Sequence, residues 1–238
     1  MRRTRLALAL MLAVACVPAF AQDSTDPNRR PDERTVMTSE AFLGGHPDLK
    51  YRLSGLAWHG QQNYTRAVED FRRAARYADK PAQGMLGEMY WTGQGVEADR
   101  AVAYAWMDIA AERGYPMFLG KREQFWNELS DAERARAVEI GVAMMDEFGD
   151  AAAKPRLERE LKKARRNTTG SRVGSVGNLV IQIPTPHGMQ QVRGDTYYAE
   201  KFWEPEAYWR WQDYDWKKPA EGEVTVGDVL TDASEPTD

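Results

Sequence analysis

Along residues 39–150 the apolar positions recur every three or four residues, in pairs of runs separated by short polar stretches. That spacing predicts paired amphipathic helices. The clearest pair lies in residues 82–114. Ala82, Leu86, Met89 and Gly93 fall on one face of a first helix, and Ala103, Trp106, Met107 and Ala110 form a stripe on a second. Gly93 and Gly95 between them can adopt φ > 0, which lets the first helix stop and the chain reverse. Asp99 is an N-cap for the second helix, and Gly114 ends it. Such a hairpin cannot bury its apolar face alone, so the pattern predicts stacked neighbours on both sides.

Those neighbours are present on either side. Residues 51–78 carry Tyr51-x2-Ser54-Gly55-x2-Trp58 and then Ala67-x3-Phe71, with Tyr64 and Ala74 in register. Gly55 to Ala67 is twelve residues, whereas Gly87 to Ala103 is sixteen, so the second pair is expected to have a loop four residues longer. Leu119-Gly120 then repeats Leu86-Gly87 at an offset of 33. A helix over 117–129 carries Phe118, Phe125, Trp126 and Leu129. Ser130-x2-Glu133 is a capping box opening a further helix, through Val138, Val142 and Met145 to Phe148.

The string LG-x2-Y-x2-G-x-GV-x2-D-x3-A-x2-W-x3-AA-x2-G in residues 82–114 rests on Leu86, Gly87, Tyr90, Gly93, Gly95, Asp99, Ala103, Trp106, Ala110 and Gly114. It closely resembles the Sel-one-like repeat (SLR), a relative of the tetratricopeptide repeat. Gly55, Trp58, Ala67 and Phe71 match the tetratricopeptide spacing, with Ser54 where a leucine is usual. The resemblance implies a mainly α fold: a short right-handed α-solenoid of about three helical hairpins plus an extra helix. It also implies a role in binding or scaffolding other proteins without catalysis. On that resemblance Leu86, Tyr90 and Trp106 are core, and the groove faces partners through the non-consensus positions Leu56, His59, Glu88 and Trp91. Some secreted relatives staple each repeat with a disulfide, and this chain departs from them.

The organisation expected beyond the repeats is as follows. Residues 151–167 form a basic helix with Leu157, Leu161 and Ala164 inward. Its charges are either a solvated face or a contact for an anionic envelope surface. Residues 168–227 are a C-terminal packing segment opening with a Gly/Ser-rich linker, TGSRVGSVGN, which lacks the Lys-Ser/Thr pair of a phosphate-binding loop. Residues 178–184 (NLVIQIP) read as a strand, and residues 224–226 as a second short one. Pro205 is placed to start a helix that carries Tyr208, Trp209, Trp211, Tyr214 and Trp216, and Trp203 lies just before it. These rings either pack along the solenoid or present Trp209 and Trp216 to a protein or a cell-wall glycan. Residues 228–238 are an acidic tail expected to be disordered, and residues 22–38 a polar lead-in expected to be disordered too.

Residues 1–21 change where the protein is expected to work. Arg2, Arg3 and Arg5 precede an apolar run, and Ala19-Phe20-Ala21 fits a signal-cleavage site. Cleavage there would give a periplasmic or secreted protein and move the net charge from −4 to −7. A lipoprotein signal ending at Cys16 is the alternative, with Ala13 where a leucine is expected. No later stretch is apolar enough to span a bilayer. Cys16 is the one cysteine, so the cleaved form would hold no disulfide and no thiol nucleophile.

Candidate chemistry is sparse. His46, His59 and His187 lack metal-ligand spacing, and neither HExxH nor GxSxG occurs. Glu158/Glu160 and Asp213/Asp215 are two residues apart and diverge on a helix. No cofactor is expected. An acidic exported chain with no base-stacking module argues against nucleic acid. The function expected is protein interaction in the cell envelope. The alternatives are a glycan-binding or enzyme-regulating module using the C-terminal aromatics, and a hydrolase built from scattered residues.

Overall fold

The computed structural model describes residues 33–166, 179–186 and 188–217. The expected signal sequence, residues 22–32 of the lead-in, the whole Gly/Ser-rich linker, His187, the strand expected at 224–226 and the acidic tail lie outside them. Seven longer helices run in order through the middle of the chain: α3 (Pro47–Gly60), α4 (Tyr64–Ala75), α5 (Lys80–Thr92), α6 (Arg100–Ala111), α7 (Pro116–Glu128), α8 (Asp131–Phe148) and α9 (Asp150–Arg166). They are preceded by α1 (Glu33–Met37) and α2 (Glu40–Gly45).

The caps fall where the sequence places them. Asp99 accepts from Val102 N at 3.1 Å, and Ser130 and Glu133 form the capping box. The loop between α3 and α4 is residues 61–63 and that between α5 and α6 is residues 93–99, the expected difference of four. Gly95 has φ +74°, and a Cβ there would lie 2.4 Å from the Tyr64 carbonyl carbon. The longer loop is therefore tucked under the start of α4, which only glycine allows.

α3 packs on α4, α4 on α5 and α5 on α6, two stacked hairpins. Their core is Ala67, Phe71, Ala74, Leu86, Met89, Trp106 and Ile109. Gly55 lies against the Phe71 ring, and Gly87 lies under α6 beside Ala103 and Met107. The third pair differs from its expected form. α7 and α8 lie chiefly against α6 rather than against each other. Phe118 and Phe125 enter the core made by Ala103, Met107 and Ala110, while Ala137 and Leu129 pack on Ala101.

The C-terminal segment supplies β1 (Val180–Thr185) and β2 (Gly188–Arg193), then α10 (Gly194–Tyr197), α11 (Glu200–Trp203) and α12 (Pro205–Lys217). The strands pair antiparallel with Ile181 opposite Val192 and Ile183 opposite Gln190. An isolated hairpin is marginal in water. This one is held by a shared core, in which Ile183, Val192, Tyr197, Phe202 and Trp203 bury Val36, Phe42 and Leu49. That core corrects the lead-in boundary. Residues 33–37 are helical, and Val36 is fully buried because the C-terminal segment returns to cover it. His46 is buried in the same place. It stacks on Phe42 at 3.8 Å, and its ring nitrogens lie 2.8 Å from Phe42 O and 2.7 Å from Phe202 O. Leu157 and Leu161 of α9 are sealed by Tyr208 of α12. The first and last described segments therefore close one core.

Candidate functional site

Two polar features stand out, one closed and one open. The closed one lies where α12 crosses the N-terminal ends of α3, α5 and α7. Tyr208 donates to Asp48 Oδ2, Tyr115 donates to Asp213 Oδ1 at 2.7 Å, and Trp216 stacks on Tyr115 and Phe118. Beneath it, Lys80 Nζ is wholly buried. It donates to Ile109 O (2.9 Å) and Glu112 Oε2 (2.7 Å), and lies 3.0 Å from Asp150 Oδ1. Arg113 grips Asp150 through both carboxylate oxygens, at 2.7 and 2.8 Å, and also donates to Ala78 O. Asp79 caps α5 and pairs with Arg52 at 3.0 Å.

The electrostatics follow from burial and pairing. Burial raises Asp79 from 3.8 to about 6, with the Asp48 carboxylate adding to it and Arg52 opposing. Burial likewise raises Asp48 and lowers Lys80. For Asp150 burial is outweighed by the Arg113 bonds and Lys80, so its carboxyl falls well below the usual range. The cavity among these groups is about 10 Å³, room for roughly one water and no substrate. The arrangement joins helix ends.

The open feature is a cleft of about 530 Å³ between second helices. One wall is α4, with Glu69, Arg72, Arg73 and Arg76. The other is α8, with Met144, Glu147 and Phe148. Tyr90 of α5 and Val102 and Trp106 of α6 make the floor. Arg72 donates to the Tyr90 hydroxyl at 2.5 Å, Arg76 pairs with Glu147 at 2.6 Å, and Trp106 meets Phe148 edge-on at 4.7 Å.

The expected contact residues divide sharply. Trp91 is stacked on Phe125 at 4.0 Å with Arg100 at 4.4 Å from its ring, and Glu88 pairs with Lys121 at 3.0 Å. Both face α7, so neither lines an open groove; side chains one turn apart on α5 meet the next first helix. His59 lies edge-on to Tyr64, with Gln94 Oε1 at 3.4 Å, and Leu56 is exposed on α3. Trp209 lies beside the cations Arg113 (4.6 Å) and Lys154 (5.1 Å), which share Asp150. Trp216 is stacked on Tyr115 and Phe118, and both indoles are half-buried against the helices.

Among the signature residues Gly55, Ala67, Phe71, Leu86, Gly87, Ala103 and Ala110 are buried, and Trp58 is half-buried beside Arg66. Gly93, Gly95 and Gly114 hold positive φ, and Asp99 adds an ion pair with Arg136 to its cap. Trp106 is core, as expected, at 3% exposure beneath the cleft, whereas Tyr90 is half-buried and takes part in the cleft floor. Arg72, Arg73, Arg76 and Met144 were not singled out in the sequence. Their one signal there is the polar side of a strongly amphipathic helix, common to any surface helix.

Among the described residues no group of three or more His, Cys, Asp or Glu side chains is placed to hold a metal, and no helix is long and apolar enough to cross a membrane. No protein-family model and no curated protein matches the chain. A crystal structure matches it, that of a protective antigen present in uropathogenic Escherichia coli strains and displaying an SLR fold. Identity is 22%, the match covers 54% of this chain and 27% of that one, and the TM-score is 0.41. The chain thus matches about a quarter of that protein's length.

Proposed function

We propose that this is an exported, non-catalytic helical-repeat protein that binds a segment of another protein in the cleft between α4 and α8. The observation that carries this reading is the aromatic floor. Tyr90 belongs to the repeat signature, yet it is half-buried and, with the buried Trp106 beneath, lines an open volume of about 530 Å³. The cleft can take a short helix or an extended segment laid between two helices. The first-helix face offers less, because Trp91 is stacked on Phe125 of α7 and Glu88 is paired with Lys121 there. Residues 1–21, with their basic start and Ala19-Phe20-Ala21, support export to the envelope.

A photo-cross-linking residue placed at Met144, in cells of the native host, tests the reading. Met144 should capture one discrete protein, and the same residue placed at Leu56 should not. Capture from Leu56 alone would move the interface to α3 and overturn the assignment. Fractionation that finds the chain in the cytoplasm would remove the envelope part.

A further inference from the structure

We infer that the cleft selects an acidic peptide segment carrying an aliphatic anchor, and that Arg72 is the residue that reads its carboxylate. The inference rests on the cleft being the binding surface. The floor and far wall present Val102, Trp106, Met144 and Phe148, an apolar bed that an aliphatic side chain would fill. The charges around it are unevenly satisfied. Asp70 is occupied by Arg73 at 3.1 Å and by the Ser54 hydroxyl at 2.6 Å, and Glu147 by Arg76 at 2.6 Å. Arg156 donates to the carbonyls of Arg76 and Glu147. Arg72 has no carboxylate within ion-pair distance among the described residues, and its one hydrogen bond goes to the Tyr90 phenol. Glu69, on the same wall, makes no ion pair there either.

Four guanidinium groups thus stand against three carboxylates in this region, on a chain whose net charge is −4. A basic segment would gain Glu69 but meet Arg72 and Arg156, neither of which has a carboxylate within ion-pair distance among the described residues. An acidic one would gain a charge-assisted bond from Arg72 beside the water-excluding faces of Tyr90 and Trp106. Tyr90 already fixes the guanidinium, so little side-chain freedom is lost on binding.

The test uses the full chain and a random twelve-residue peptide display library. Selected peptides should be enriched in Asp or Glu next to Leu, Ile or Val. Their affinity, read by fluorescence anisotropy, should fall about tenfold or more in Arg72→Glu and in Met144→Ala, with circular dichroism unchanged. It should also weaken as salt rises. Neutral or basic winners, no winners, or affinity indifferent to both substitutions would overturn the inference. Cross-linking from Met144 would still stand in that case, so failure of the charge preference is separable from failure of the cleft. A chain ended at Lys218 that binds the peptides tenfold tighter would assign the cleft to the chain's own acidic residues 221–238 and overturn an external partner.

Discussion

Replacing Lys80 by Met keeps the aliphatic stem and removes the ammonium group. The Lys80 side chain is 0% exposed, and three acceptors converge on it. Breaking a buried charged pair from one side costs about 3–5 kcal/mol, because the partner is left uncompensated. Here the lower end applies. Asp150 keeps both Arg113 bonds and Lys154 at 2.9 Å, and Glu112 keeps the Asp150 backbone N–H at 2.9 Å. Ile109 O loses its side-chain donor outright. A loss of about 3 kcal/mol is a large part of the stability of a domain this size, and lowers Tm by about 6–12 °C. Urea unfolding followed by circular dichroism measures it. Adding Glu112→Gln to Lys80→Met should recover part of the loss, since the orphaned charge is then gone. A single-variant loss below about 1 kcal/mol, or no recovery in the double variant, would refute the account of the buried network.

The pH dependence has a definite sign. Asp79 is raised from 3.8 to about 6, so the folded state holds the extra proton, and the stability it contributes is lost as pH rises from about 4 through 6. The full shift is worth about 3 kcal/mol. Asp79→Asn keeps the cap and should flatten that part of the profile; an unchanged slope would discard the assignment. Asp150 acts oppositely, losing its contribution as pH falls below about 4, and His46, held neutral by burial, loses stability on acidification below its unfolded value of 6.5. The wild-type and Asp79→Asn curves therefore have to be compared directly. Gly95→Ala and Gly114→Ala both place a side chain at positive φ, at a cost of about 1–2 kcal/mol each. Only at Gly95 would the added Cβ also meet backbone, that of Tyr64 at 2.4 Å, whereas a Cβ at Gly114 would have nothing within 4 Å. Calorimetry should show Gly95→Ala the more destabilising, and equal losses would mean the loop is not tucked under α4.

The repeat hairpins were legible in the sequence because their determinants are local. Helical periodicity, the Asp99 and Ser130 caps and the turn glycines act within a few residues of themselves, and even the four-residue loop difference is a local count. Pro205 marks the start of α12 for the same reason. Folding against distant partners decided the rest. Val36 sits in a polar stretch and becomes core only because β1, β2 and α11 return to it. Strand β2 reads as polar sequence, and it needs a single inward Val192 once Ile181 and Ile183 lie beside it. The tryptophans of α12 carry no mark of which faces will be covered until Arg113, Lys154 and Phe118 reach them from other helices. The candidate site shows the same division. Tyr90 and Trp106 are visible as repeat signature, but a consensus position states only that a residue packs. Whether its outer edge meets a neighbour or an open cleft depends on the distance between α4 and α8. That distance is set where α8 settles against α6, a non-local packing event that residue spacing along one helix does not encode.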